Sequence, residues 1–339
     1  MNKISARVAK LQSPGKVTFE VEDLSMNVEA NDILCESLVS VISPGTELAA
    51  YRGAPPLSPG VTYPRLVGYC NVARVIVKGG NVKNVLEGER VLTLQSHRSH
   101  FLIKSSEILA VVPPEISSRE AACCYLFQLG YNATLRGNVR LGSNVIVLGM
   151  GALGLTTVAM STLAGGRVFC VSDYVEAKKR VCDFGAIDCF TRGNIESLFT
   201  ALGNQLAHVV VSTTSAWSDW RIALNAAGDQ GTIVVLGFPG RESSSIPLNP
   251  LESATFYKKQ LRVIAAGHSP LLPEPKCFLP FNLRDNILRI LRWISAGDLS
   301  ASTLLSGDFH GLALNEAYES LMQRKNAAIT YALIWRDDE

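Results

Sequence analysis

The sequence predicts an α/β protein with two domains, a doubly wound parallel sheet and a β-rich domain. Three observations lead there. Between residues 144 and 236 apolar strands recur about every twenty residues, with helical stretches between them. The first of those strands runs into Gly149, Gly151 and Gly154 and then opens a helix. Ahead of residue 125 the texture is different, with short strands set between Gly and Pro turns. At 339 residues, 47% hydrophobic and 18% charged, the chain can fill two cores.

Taken in order, "SARVAKL", "KVTFEVEDL", "DILCESLVSVIS", "NVARVIVKGG", "GERVLTL" and "HFLIKSSEILAVV" read as β segments with little helical period. From residue 142 the strands are "NVIVLG", "RVFCVSD", "AIDCF", "HVVVS" and "GTIVVLG", and the helices 152–163, 175–184, 195–202 and 217–227 separate them. Strands spaced by helices cannot pair through hairpins, and right-handed crossovers then give a parallel sheet covered on both faces. "LRVIAAG" supplies a sixth strand. Pro-rich "HSPLLPEPKCFLP" follows, then an amphipathic helix, "NLRDNILRILRWISAG", and a tail ending in another helix and an apolar strand. The tail lacks the strand-helix alternation and returns to the first domain. The expected division is 1–124 with 268–339 for the β-rich domain and 125–267 for the doubly wound one.

Charge and composition exclude several function classes. A formal net charge of +2 without long Lys/Arg blocks leaves no electrostatic footprint for nucleic acid or an anionic membrane. No uninterrupted apolar stretch is long enough to span a bilayer, and "MNKISARVAK" lacks the apolar core of a secretory signal. The expectation is a cytoplasmic protein with a small-molecule substrate. Its eight cysteines are scattered without paired spacing and include no C-x-x-C pair, so no disulfide framework is expected.

"NVIVLGMGALGLTTVAM" carries the strongest chemical signal. Gly149 makes a tight turn, Gly151 lets the backbone approach a pyrophosphate, and Gly154 allows close packing of helix on strand. Met150, Ala152 and Leu153 fill the same turn, whose free N–H groups suit an anion. The next strand ends at Asp173, nineteen residues past Gly154. A carboxylate there accepts hydrogen bonds from ribose hydroxyls and repels a 2′-phosphate, favouring NAD over NADP. Lys178, Lys179 and Arg180 pull the other way, with Lys178 the nearest basic candidate on the cofactor side.

The order of these parts resembles the medium-chain dehydrogenase/reductase superfamily along nearly the whole chain, with a GroES-like catalytic domain and a Rossmann domain. "SPGTELAAYRG" looks like the family's Cys-Gly-Thr-Asp segment, "YPRLVGYC" like its Gly-His-Glu segment, and "VLEGERVL" like its Gly-Asp-Arg-Val turn. In zinc-dependent members the ligands fall where this chain has Pro44, Tyr69 and Tyr125, so the resemblance implies no catalytic zinc. The Cys-rich lobe that holds a structural zinc in many members has no counterpart either. "SPGTELA" followed by Gly-Tyr is similar to the zinc-lacking branch of bacteriochlorophyllide hydroxyethyl dehydrogenases, which implies NAD-linked oxidation of a secondary alcohol in the cleft between domains. The resemblance also implies a homodimer.

Without a metal, a developing alkoxide needs preorganised hydrogen-bond donors. By resemblance Thr46 matches the hydroxyl that relays the alcohol proton, and Tyr69 brings a phenol to a ligand's place; each also has a plain structural reading, as a turn hydroxyl and a packing ring. His97 and His100 follow the Gly88 turn and are acid/base or pocket candidates, or else surface histidines. His268, Tyr51 and Tyr125 complete the expected pocket. On the cofactor side the resemblance adds Ser212 and Thr213, which follow the fourth Rossmann strand, and Leu236 and Phe238 beside the nicotinamide. Two other functions stay open: reduction of a conjugated C=C bond with NAD(P)H, and a non-catalytic NAD-binding sensor.

Overall fold

The computed structural model describes residues 3–54, 63–174, 176–203, 205–241, 248–267, 269, 282–324 and 327–336. The chain divides into two compact units, Met1–Tyr125 with Ile287–Glu339, and Leu126–Asn286.

The first unit begins with β1 (Lys3–Ser13), β2 (Lys16–Ser25) and β3 (Asp32–Val41), then α1 (Pro44–Tyr51) and β4 (Arg65–Leu66). It continues with β5 (Asn71–Lys78), β6 (Arg90–Thr93), β7 (His100–Lys104), β8 (Ala110–Val111) and α2 (Ser118–Ala122), and α3 (Cys124–Arg136) follows. β1 and β2 form an antiparallel hairpin through the Pro14–Gly15 turn, and β4 pairs with the other edge of β1. Three helices, α1, α2 and α3, were not expected from the pattern. "PGTELAAY" folds as α1 because Pro44 enters at the first turn, where its missing N–H costs no bond, and Leu48, Ala49 and Ala50 bury one face. α3 carries Gln128, Asn132 and Thr134 at buried positions, which blurs its apolar period.

The second unit holds β9 (Asn144–Leu148), α4 (Ala152–Leu163), β10 (Arg167–Val171), α5 (Ala177–Asp183), β11 (Asp188–Phe190), α6 (Ile195–Ala201), β12 (Ala207–Ser212), α7 (Trp217–Ala226), β13 (Ala227–Val235) and β14 (Arg262–Ala265). Every pairing is parallel, in the order β11-β10-β9-β12-β13-β14. Counted from β9 this is the 3-2-1-4-5-6 order of a dinucleotide-binding sheet, and strand order reverses between β9 and β12. β9 is buried at all five residues, as a strand covered on both faces must be. Ile146, Leu148, Phe169, Val171, Val210 and Ile233 form one core cluster, each contributing about 1.5–3 kcal/mol by leaving water.

The last stretch adds α8 (Leu283–Ser295), β15 (Leu305–His310), α9 (Leu314–Met322) and β16 (Thr330–Ile334). β16 pairs antiparallel with β3 and parallel with β15, completing the first unit's larger sheet, β15-β16-β3-β5-β6-β8, with β7 also on β3. The expected second boundary at 268 lies earlier than the observed one. The reason is polar: Asn132 Nδ2 donates to the Gly267 carbonyl at 2.6 Å, and Gln128 and Asn286 both donate to Ser269 Oγ at 2.7 and 3.0 Å. These bonds keep the chain on the second unit after β14. Among the described residues no helix is long and apolar enough to cross a membrane.

Candidate active site

In the second unit the cofactor cradle is built where β9 meets α4. Gly149 takes φ +90°, a left-handed conformation that suits glycine. A Cβ on Gly154 would lie 1.8 Å from the Gly149 carbonyl oxygen, so the helix can start this close to the strand only with glycine there. A Cβ on Gly151 would meet nothing within 4 Å, which leaves open space over the N-terminus of α4. Met150 and Ala152 are buried and support the turn from below, while Leu153 is half-buried. Thr213 Oγ1 bonds the carbonyls of Leu148 and Gly149, both at 2.9 Å, pinning the cradle to the end of β12. Ser212 Oγ is buried beside it and, among the described residues, has no hydrogen-bond partner. Leu236 is buried and Phe238 is 46% exposed, with the Arg241 guanidinium 5.9 Å from its ring centroid. This set fits a nicotinamide dinucleotide, whose pyrophosphate Gly151 and the α4 N–H groups would hold.

At the adenosine end the outcome differs from expectation. Asp173 already accepts from the Arg192 backbone N–H at 2.9 Å and from Arg192 Nη1 at 2.8 Å. Those bonds hold its carboxyl below the ordinary range, the backbone donor contributing most. Arg192 also makes a bidentate pair with Asp219, which is fully buried and accepts from Thr214 Oγ1 as well. Lys178, expected on the cofactor side, instead reaches Asp188 at 2.8 Å because α5 lies against β11. Arg192 was missed because "FTRGN" reads as an ordinary charged turn.

In the first unit Thr46, Tyr69 and Tyr125 are brought together. The Tyr69 phenol donates to Ser43 Oγ and also bonds the Thr46 side chain. Its ring meets that of Tyr125 edge-on, with centroids 5.2 Å apart. Burial raises both phenols, Tyr125 to about 12 and Tyr69 further, so both stay protonated as donors. Behind them lies a buried carboxylate that sequence reasoning missed. Glu47 is 2% exposed and accepts from Ser43 N–H at 2.6 Å, from His97 Nε2 at 2.8 Å and from Tyr318 Oη at 2.6 Å.

Three expectations change. His97 is not an open acid/base: it is fully buried, with Nε2 on Glu47 and Nδ1 2.8 Å from Ser40 Oγ, which also accepts from Trp335 Nε1. Tyr51 is not a pocket residue but core, 7% exposed, with its ring against Tyr318 and its hydroxyl on Asn315 Oδ1 at 3.0 Å. His100 stands on β7 opposite Glu36 of β3, its nitrogens near Ser99 and Glu36, so it does not join the hydroxyl cluster. His268 lies outside the described residues.

The residues at the family's zinc-ligand positions do not fit a metal. Pro44 has no donor atom, and Tyr69 and Tyr125 hold their protons. Cys70, Cys123 and Cys124 are buried thiols pushed away from the thiolate form by burial, and thiolate is the zinc-binding form. Among the described residues no group of three or more His, Cys, Asp or Glu is placed to hold a metal ion.

Comparison with known proteins agrees with this architecture. Residues 152–270 match the family described as zinc-binding dehydrogenase. The chain is 22% identical over 319 residues to L-galactonate-5-dehydrogenase of Escherichia coli, covering 84% of this chain and 87% of that one. It is 26% identical over 218 residues to sorbitol dehydrogenase of Mus musculus, covering 62% and 57%. The crystal structure of 2R,3R-butanediol dehydrogenase from Bacillus subtilis superimposes with a TM-score of 0.81 at 16% identity, covering 97% and 99%. The chain spans about half the length of the first curated relatives it matches. With its cradle, its 3-2-1-4-5-6 sheet and its strand-rich companion unit, the chain has the fold of these dehydrogenases and is similar to them in sequence over the spans given.

Proposed function

We propose that the protein is a zinc-independent oxidoreductase that moves a hydride between NAD(H) and a secondary alcohol or its ketone. The observation that carries this reading is the open cradle at Gly151, fixed by Gly149 and Gly154 at the head of α4. The bound nicotinamide supplies the hydride acceptor or donor. The chain's own residues do the rest. The α4 N-terminus and Gly151 would hold the pyrophosphate, and the Asp173 carboxylate, shared with Arg192, would accept from a ribose hydroxyl. Tyr69 and Thr46 offer hydroxyl donors to the substrate oxygen, the task a metal performs in zinc-dependent relatives. The names of relatives, dehydrogenases of sorbitol and L-galactonate, support an alcohol carbon as the reacting centre.

The test mixes purified protein with NADH or NADPH and a panel of saturated ketones, enones, polyols and other secondary alcohols while nicotinamide absorbance is followed. Turnover of ketones or alcohols, faster with NAD(H), is expected. Turnover of enones alone would replace this reading with C=C reduction, and tight NADH binding without any turnover would replace it with a sensor. About one zinc per active chain by elemental analysis would remove zinc independence. We further propose a cytoplasmic homodimer. The dimer is supported by β14, which pairs only with β13 among the described residues and carries Val263 39% exposed; light scattering at the mass of one chain would exclude it.

A further inference from the structure

Ser43 caps the N-terminus of α1, yet its side chain makes no capping bond. A serine at that position ordinarily turns its oxygen to the second or third N–H of the helix. Here Ser43 Oγ is turned to the Tyr69 phenol instead, and Glu47, one turn along α1, accepts the Ser43 backbone N–H at 2.6 Å. Glu47 is in turn fixed by His97 and Tyr318, which come from elsewhere in the first unit. The assembly runs from the core outward: His97 is fully buried, Glu47 2% exposed and Ser43 5%, while Tyr69 and Thr46 are partly buried. Of these residues, Tyr69 and Thr46 retain the most solvent exposure.

We propose that Ser43 is a positioning residue for the reaction proposed above: its hydroxyl holds the Tyr69 phenol in place as the donor to the substrate oxygen, with Glu47 holding Ser43. This role rests on that functional reading. A hydroxyl has one proton and two lone pairs, so the Ser43–Tyr69 bond can run either way. With the substrate oxygen absent, the phenol donates inward to Ser43. When a carbonyl oxygen arrives, the phenol proton turns to it and Ser43 turns its own proton onto the phenol oxygen. No bond to hydrogen is broken in this exchange; it aligns two hydroxyl dipoles toward the oxygen on which charge develops as hydride adds to the carbonyl carbon. Burial of the phenol, which keeps it protonated, agrees with a donor that stays a donor.

The experiment compares wild type, Ser43→Ala, Ser43→Thr and Tyr69→Phe for kcat and KM with the best ketone of the panel, for NADH affinity by fluorescence, and for melting temperature. Tyr69→Phe is expected to lose about 10²-fold in kcat, the scale of one lost oxyanion donor. Ser43→Ala is expected to lose about tenfold in kcat with NADH affinity and melting temperature near wild type, because the hydroxyl makes no helix cap. Ser43→Thr, which returns a hydroxyl, is expected to recover most of that loss. Wild-type kcat in Ser43→Ala, or a loss that Ser43→Thr leaves unrepaired, overturns the role. Absence of any ketone or alcohol turnover by the wild type overturns the proposed function and this role with it, an outcome distinct from an active wild type and an equally active Ser43→Ala.

Discussion

Glu47 Oε2 and His97 Nε2 lie 2.8 Å apart in the first unit, with side chains 2% and 0% exposed. The same carboxylate receives Ser43 N–H and the Tyr318 hydroxyl, so two distant segments are tied to the first turn of α1 and its cap. Glu47→Ala would leave three buried donors without their acceptor. Removing one partner of a buried pair typically costs about 3–5 kcal/mol, and that loss is expected here in urea unfolding. A loss under about 1 kcal/mol, the scale of an exposed pair, would show that the donors find other acceptors.

The two glycines of the cradle are expected to fail in different ways. Gly154→Ala places a methyl 1.8 Å from the Gly149 oxygen, so α4 must shift, and both melting temperature and NADH binding should fall. Gly151→Ala enters open space. Its melting temperature should match wild type while NADH affinity drops, because the methyl occupies the approach of the pyrophosphate. Fluorescence titration and thermal melts of the two variants read this directly.

Asp173 is held below its ordinary value of 3.8 by Arg192. A carboxylate depressed in the folded state adds stability above the unfolded value and loses it as pH falls through the lower folded one. The window therefore lies below about pH 4, and because the side chain is 55% exposed the effect on stability is small. Carbon-detected NMR titration should find the Asp173 midpoint below 3.8 in wild type and nearer that value in Arg192→Ala. Asp173→Ser is expected to narrow the preference for NADH over NADPH; unchanged affinities for both would remove Asp173 from the ribose site.

Lys259 Nζ donates to the carbonyls of Leu224, Asn225 and Ala227 at 2.8–2.9 Å, closing the C-terminal end of α7. A cation there meets both unpaired carbonyls and the negative end of the helix dipole. Lys259→Met keeps the stem and removes the charge, and a loss of about 1–2 kcal/mol is expected in denaturant unfolding.

The second unit was legible because its information is local. β9, the three glycines and α4 occupy one continuous stretch, and the strand spacing alone implies the parallel sheet. The first unit's chemistry is spread along the chain. Glu47 looks like a first-turn helix acid, and its partners stand 50 and 271 residues away at His97 and Tyr318. Nothing in "SHRSH" distinguishes the buried histidine from His100, since both follow a turn and precede or enter a strand. Tyr51 was misplaced for the same reason: its burial depends on α9, which the sequence presents far downstream. Ser43 gives no signal of its own because a serine before a helix is the ordinary capping pattern, and only the folded structure turns its hydroxyl elsewhere.

The engagement of both Glu47 oxygens bears on how this site can change over generations. Both carboxylate oxygens already accept donors, and Gly68, just before Tyr69, lies so near the His97 ring that a Cβ there would come within 2.6 Å of it. Replacing Tyr69 with His would put an imidazole beside a carboxylate whose acceptors are engaged, while Pro44 and Tyr125 would still supply no thiolate. A metal-binding descendant of this chain therefore lies several coordinated substitutions away, with each single step expected to disturb the hydroxyl cluster before any ion could replace it.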